Sequence, residues 1–147
     1  MKPVTVEATV ARPPKEAFEF LDALPNHERF LDHYLVDWKF EGPQRGVGAK
    51  ARARVDAPGG QDHFEFEVTE SAAPTRIVEQ GVSSKGKRET QGVYSLEGLP
   101  DGGTRIEFEL SFQQLPRSER LIPPLTRAFA RRVNAKAMRR LAKQLDG

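Results

Sequence analysis

Residues 124–145 read PLTRAFARRVNAKAMRRLAKQL, and the period of that stretch decides the fold. Leu125, Phe129, Val133, Ala137, Leu141 and Leu145 recur at every fourth position, with Ala128, Met138 and Ala142 widening the stripe. That spacing collects apolar side chains on one face of an α-helix. Arg127, Arg131, Arg132, Lys136, Arg139, Arg140 and Lys143 take the other faces. A residue before proline disfavours the α region, so Ile122-Pro123-Pro124 marks the helix start, and Ser118–Leu121 is at most a turn before it. Such a helix spans roughly 33 Å at about 1.5 Å per residue. It needs an equally long apolar surface to lie on.

Upstream, the period is two. Val4 to Ala11 alternates, with Val4, Val6, Ala8 and Val10 inward. Arg12-Pro13-Pro14 stops it, and proline followed by Glu16 suits a helix start. Two short helices follow, one carrying Ala17, Phe18 and Leu21, the other running from about Pro25 to Leu31. Tyr34, Val36, Trp38 and Phe40 then form an inward row, followed after Gly46-Val47-Gly48 by Ala49, Ala51, Ala53 and Val55. Ala57-Pro58-Gly59-Gly60 is a turn, and Phe64, Phe66 and Val68 mark the next strand. Arg76–Ser83 and Arg88–Leu96 are further strands. Asp101-Gly102-Gly103 is a hairpin signal before the clean alternation of Ile106, Phe108, Leu110 and Phe112. Short glycine turns join antiparallel neighbours. The expectation is an α+β fold: seven antiparallel strands in a sheet curved around the C-terminal helix, with two short helices between strands one and two.

Bulk properties narrow the class. The 147 residues are 37% hydrophobic and 30% charged, as in an ordinary soluble domain, and are read as one domain over 1–147. There is no apolar run long enough for a membrane span and no signal-like N-terminus, so the location expected is cytoplasmic. With no cysteine, disulfides and thiol chemistry are excluded. Net charge is +2, but nine Lys/Arg face two acids from Arg117 onward, while the remainder is acidic. Such a basic helix either is the solvated face of an amphipathic element or meets an anionic partner.

Several short stretches carry a resemblance. Val6-Glu7-Ala8-Thr9-Val10 runs into Ala11-Arg12-Pro13-Pro14-Lys15-Glu16-Ala17-Phe18, and Gly46-Val47-Gly48, Ala73-Pro74-Thr75-Arg76-Ile77 and Gly102-Gly103-Thr104-Arg105-Ile106 follow in order. Together they resemble the START-like (SRPBCC) helix-grip superfamily, in particular its polyketide cyclase/dehydrase-like branch. The resemblance implies a cavity between sheet and helix. Its members include carriers of lipids and hydrophobic ligands, aromatase/cyclases, chaperone co-activators and ubiquinone-binding proteins, so fold alone does not name a function. The matching motifs are features of the scaffold and carry no catalytic residue.

The residues themselves also suggest a cavity. Ala49, Ala51 and Ala53 are small on a face that sheets usually fill with large aliphatics. Beside aromatics such as Trp38, Phe64, Phe66, Phe108 and Phe112 they leave room for an apolar guest, or else for Phe129 and Met138 of the helix. Leu125, Phe129 and Val133, in the first half of the helix, are expected to meet the guest. Polar candidates are few. Tyr94 offers a hydroxyl. Either Glu79 or Gln80 faces inward, since side chains alternate; Glu79 is then an exposed strand carboxylate or, if inward, a carboxyl with a raised pKa suited to acid or base work. Gln91 and Gln114 are further candidates for orienting a ligand. His27, His33 and His63 lack metal-ligand spacing, read as exposed, and imply no metal. No nucleophile elbow, phosphate loop or dinucleotide fingerprint occurs, so no cofactor is expected.

The leading functional expectation is binding of a small hydrophobic or aromatic molecule, as a carrier or as a cofactor-independent cyclase/dehydratase. The alternative is an interaction module whose basic helix meets RNA, a ribosome or an anionic membrane.

Overall fold

The computed structural model describes residues 1–56 and 62–146. The turn expected at Ala57-Pro58-Gly59-Gly60 lies outside the described residues. In chain order the elements are β1 (Val4–Val10), α1 (Pro14–Asp22), a 3₁₀ segment (Leu24–His27), α2 (Glu28–Leu31), β2 (Leu35–Glu41), β3 (Lys50–Val55), β4 (His63–Ala72), β5 (Arg76–Ser83), β6 (Arg88–Gly98), β7 (Thr104–Gln114), α3 (Arg117–Arg120) and α4 (Pro123–Asp146).

The strands form one antiparallel sheet in the order β1-β7-β6-β5-β4-β3-β2. This meander from β2 to β7, closed by β1 at the far edge, is what tight turns between consecutive strands produce. The sheet curves around α4, as expected for the helix-grip fold. Cation and carboxylate rows pair across its outer face, with Lys50–Glu67 and Arg52–Glu65 both at 3.3 Å. No helix among the described residues is long and apolar enough to cross a membrane.

Helix α4 is held mainly by its second half. Ala130, Asn134, Ala137, Met138, Leu141 and Leu145 are buried, against β1 and α2. Its C-terminal end is tied to the β1–α1 link, where the Ala11 N–H donates to Asp146 Oδ1 at 2.7 Å and Arg12 Nε donates to the Leu145 carbonyl at 2.8 Å. A cation on the last carbonyls complements the helix dipole. Leu141 has no exposed surface. Leu141→Ala is therefore expected to cost about 2–5 kcal/mol of stability in a denaturant titration.

Two expectations about the strands and histidines fail. Strand β2 does not alternate through Tyr34, Val36, Trp38 and Phe40, because its register shifts between Val36 and Lys39 and Asp37 has φ 56°. The bulge sets Leu35 inward and buried and leaves Phe40 38% exposed at the sheet edge. His27, read as exposed, is fully buried, its Nε2 2.7 Å from the Leu21 carbonyl. That bond requires the proton on Nε2, since a carbonyl only accepts.

Candidate functional site

A cavity of about 410 Å³ opens between the sheet and the first half of α4. Its floor follows from period-two alternation on three neighbouring strands. Glu79, Gly81 and Ser83 of β5, Thr90, Gly92 and Tyr94 of β6, and Phe108, Leu110 and Phe112 of β7 all point into it. Leu31, Tyr34, Leu35 and Val55 close one side, and Leu125, Phe129, Val133 and Asn134 form the roof. Leu125 and Phe129 remain 64% and 54% exposed, because beneath them lies open space rather than sheet.

The space depends on two glycines. A Cβ on Gly81 would lie 2.5 Å from Phe64 Cζ and 2.6 Å from Thr90 Oγ1; one on Gly92 would lie 2.8 Å from Phe108 Cε1. The Phe64 and Phe108 rings therefore lie down over bare backbone and line the cavity instead of filling it. Tyr94 packs against Phe108, with ring centroids 4.6 Å apart.

The ionisable groups gather in two places. At the floor, Glu79 is buried, and its Oε2 has no hydrogen-bond partner among the described residues. Removal from water pushes its pKa up from 4.5 to about 8, since an ionised carboxylate loses more hydration than a neutral carboxyl. Burial, reinforced by the charge Glu79 would carry, also raises the Tyr34 and Tyr94 hydroxyls, which stay protonated. Elsewhere on the wall, Arg88 is enclosed by acids. Its Nη1 donates to Ser83 Oγ at 2.6 Å and to Asp62 Oδ2 at 3.3 Å, and its Nε donates to Glu119 Oε1 at 3.1 Å. Its Nη2 pairs with Glu119 Oε2 as well. The forked guanidinium thereby ties α3 and the segment before β4 to β6. Among the described residues no cluster of three or more His or acidic side chains is arranged to hold a metal.

Of the residues singled out from sequence, Phe64, Phe66, Glu79, Tyr94, Phe108, Phe112, Leu125, Phe129 and Val133 line this cavity. Trp38, Ala51 and Ala53 do not. Trp38 sits in the β2 bulge, donates from Nε1 to the Leu35 carbonyl at 2.7 Å and meets Phe66 edge-on. Ala51 and Ala53 are buried but lie outside the cavity lining, on a strand that packs against the 3₁₀ segment. Gln91 and Gln114 stay out of the cavity, the latter donating to the Lys87 carbonyl at 3.3 Å. Sequence reasoning passed over Gly81, Gly92, Thr90 and Arg88. Counting back by twos from Tyr94 puts Gly92, Thr90 and Arg88 on its face.

Solved structures share this architecture at low identity. One is TTHA0849 from Thermus thermophilus, with a TM-score of 0.79 at 16% identity, covering 98% of this chain and 97% of that one. Another is DynU16, a protein in the dynemicin biosynthetic locus, with a TM-score of 0.69 at 21% identity, covering 99% and 47%. A third is the di-domain ARO/CYC StfQ from the steffimycin biosynthetic pathway, with a TM-score of 0.67 at 16% identity, covering 97% and 44%. At these identities the likeness shows the fold. No curated protein matches the sequence significantly. The family model described as polyketide cyclase / dehydrase and lipid transport matches residues 1–146. The chain therefore belongs to the polyketide cyclase/dehydrase and lipid transport family.

Proposed function

We propose that the protein binds a small apolar or aromatic molecule in the cavity between its sheet and α4, the chain working as one START-like domain. The observation that carries this is the cavity itself: an aromatic-walled space of about 410 Å³, left open where α4 stands off the sheet. A cavity of that volume suits a ligand of two or three fused rings or a short acyl chain. Family membership supports the same reading. Its enzymatic form is a cofactor-independent cyclase or dehydratase, in which the walls fold the substrate and Glu79 and Tyr94 handle protons. The reading requires that naphthalene-sized hydrophobic probes raise the melting temperature, a saturating ligand adding about 2.7 kcal/mol at a hundredfold excess over Kd. It also requires that native mass spectrometry show them retained. A flat melting temperature across a panel of such probes rejects it.

The alternative, an anionic partner on the basic helix, has less behind it. Arg127 donates to the Lys2 and Pro3 carbonyls, Arg131 to the Thr5 carbonyl, and Arg140 pairs with Asp32. These cations hold the helix to its own chain, whereas Arg132, Lys136, Arg139 and Lys143 of the basic stripe form no ion pair among the described residues and are the ones such a partner would meet.

A further inference from the structure

We infer that the ligand is an uncharged molecule bearing a hydrogen-bond-accepting oxygen on an apolar body, and that Glu79 anchors this oxygen by donating its carboxyl proton. The inference rests on the cavity being a ligand site. Glu79 is a buried carboxyl on the cavity floor, set among apolar walls. Its cross-strand neighbours are Val68 and Gly92, neither of which supplies a hydrogen-bonding side chain. Its buried Oε2 is unpartnered. An unpaired buried polar atom is costly, and a ligand oxygen placed against the carboxyl removes that cost.

The charges around the cavity decide against an anion. Arg88 is the only cation among its described lining residues, and it is already paired with Asp62 and Glu119. Two carboxylates against one guanidinium leave that wall net negative. A carboxylate or phosphate headgroup would have to displace Glu119 or Asp62 from Arg88, against their own repulsion. A ketone, ester or ether oxygen faces no such competition.

Glu79 is protonated below about pH 8. In that state it donates; as the pH rises further it becomes a carboxylate that repels an acceptor oxygen. The other ionisable groups facing the cavity are Tyr34, Tyr94 of β6, Arg88 of β6, Asp62 and Glu119 of α3; α4 contributes only the uncharged Thr126 and Asn134. His27 of the 3₁₀ segment stands edge-on to Tyr94 at 5.6 Å and is neutral above about pH 4. His33, bonded to the Val133 carbonyl, lies outside the lining, and its pKa is lowered, chiefly by burial.

Three naphthalene probes of one size test this by calorimetric titration: acetylnaphthalene, ethylnaphthalene and naphthoate. At about pH 6 the ketone is expected to bind roughly tenfold more tightly than the hydrocarbon, and naphthoate more weakly than either. By about pH 10 the ketone's advantage should vanish in the native protein. Glu79→Gln, whose amide donates at every pH, should keep it at both values, and Glu79→Leu should abolish it at both. Equal binding of ketone and hydrocarbon, or tightest binding of naphthoate, overturns the inference while leaving the cavity a ligand site. Failure of all three probes to bind overturns the binding reading and the inference with it.

Discussion

Glu79→Gln is expected to stabilise the protein by several kcal/mol at pH 8 and above while changing little near pH 4.5. The unfolded chain gives up the Glu79 proton above about 4.5, whereas the folded protein holds it to about 8. Between those values the folded state binds more protons. Stability is therefore lost as pH rises, at up to about 1.4 kcal/mol per pH unit. His27 acts in the opposite direction. Its pKa falls from 6.5 to about 4, chiefly through burial, against the raising effects of the Leu21 carbonyl and the Asp22 charge. Below 6.5 the unfolded chain takes up a proton that the folded protein refuses, so stability is lost as pH falls toward 4. The two slopes oppose each other between about 4.5 and 6.5, where their joint contribution is flat, and Glu79 alone tilts the profile from there to 8. Urea midpoints measured across pH in both proteins test this. A native midpoint that does not fall between 6.5 and 8, or a fall that persists in the variant, overturns the assignment.

Gly92→Val is expected to close the cavity. A Cβ there already lies 2.8 and 2.9 Å from two carbons of the Phe108 ring and 3.3 Å from Glu79 Cγ. The ring must lift off the sheet, and the free volume is on the cavity side. Overpacking of this kind costs about 1–3 kcal/mol of stability. The larger effect should be on binding, with affinity for acetylnaphthalene or ethylnaphthalene reduced at least about tenfold while the far-ultraviolet circular dichroism stays native. Unchanged affinity would mean that the Phe108 ring does not form the binding floor.

The parts of the site that are legible in the sequence share one property: they follow from which face of a strand or helix a residue occupies. Ile106, Phe108, Leu110 and Phe112 alternate without interruption, and β7 keeps that register against β6 from Thr90↔Phe112 to Gly98↔Thr104. Helical spacing sets Leu125, Phe129 and Val133 on one face, and they form the cavity roof. Trp38 departs from its strand pattern because Asp37 turns to φ 56° and shifts the strand by a residue. The alanine row is small and buried, as its alternation implies. What packs against β3, the 3₁₀ segment among its neighbours, is a matter of contact between elements that no strand pattern encodes.

Two-residue periods, glycine turns and one four-residue stripe are enough to set the architecture, since they admit little besides an antiparallel sheet gripping a terminal helix. The chemistry of the cavity comes from tertiary structure alone. Whether Glu79 meets a cation or stays unpaired depends on side chains from other elements. So does the neutralisation of Arg88, whose partners Asp62 and Glu119 lie 26 and 31 residues away in the chain. Periodicity is a local property and reports direction. Charge state is set by what stands opposite, and only the folded chain brings those groups together.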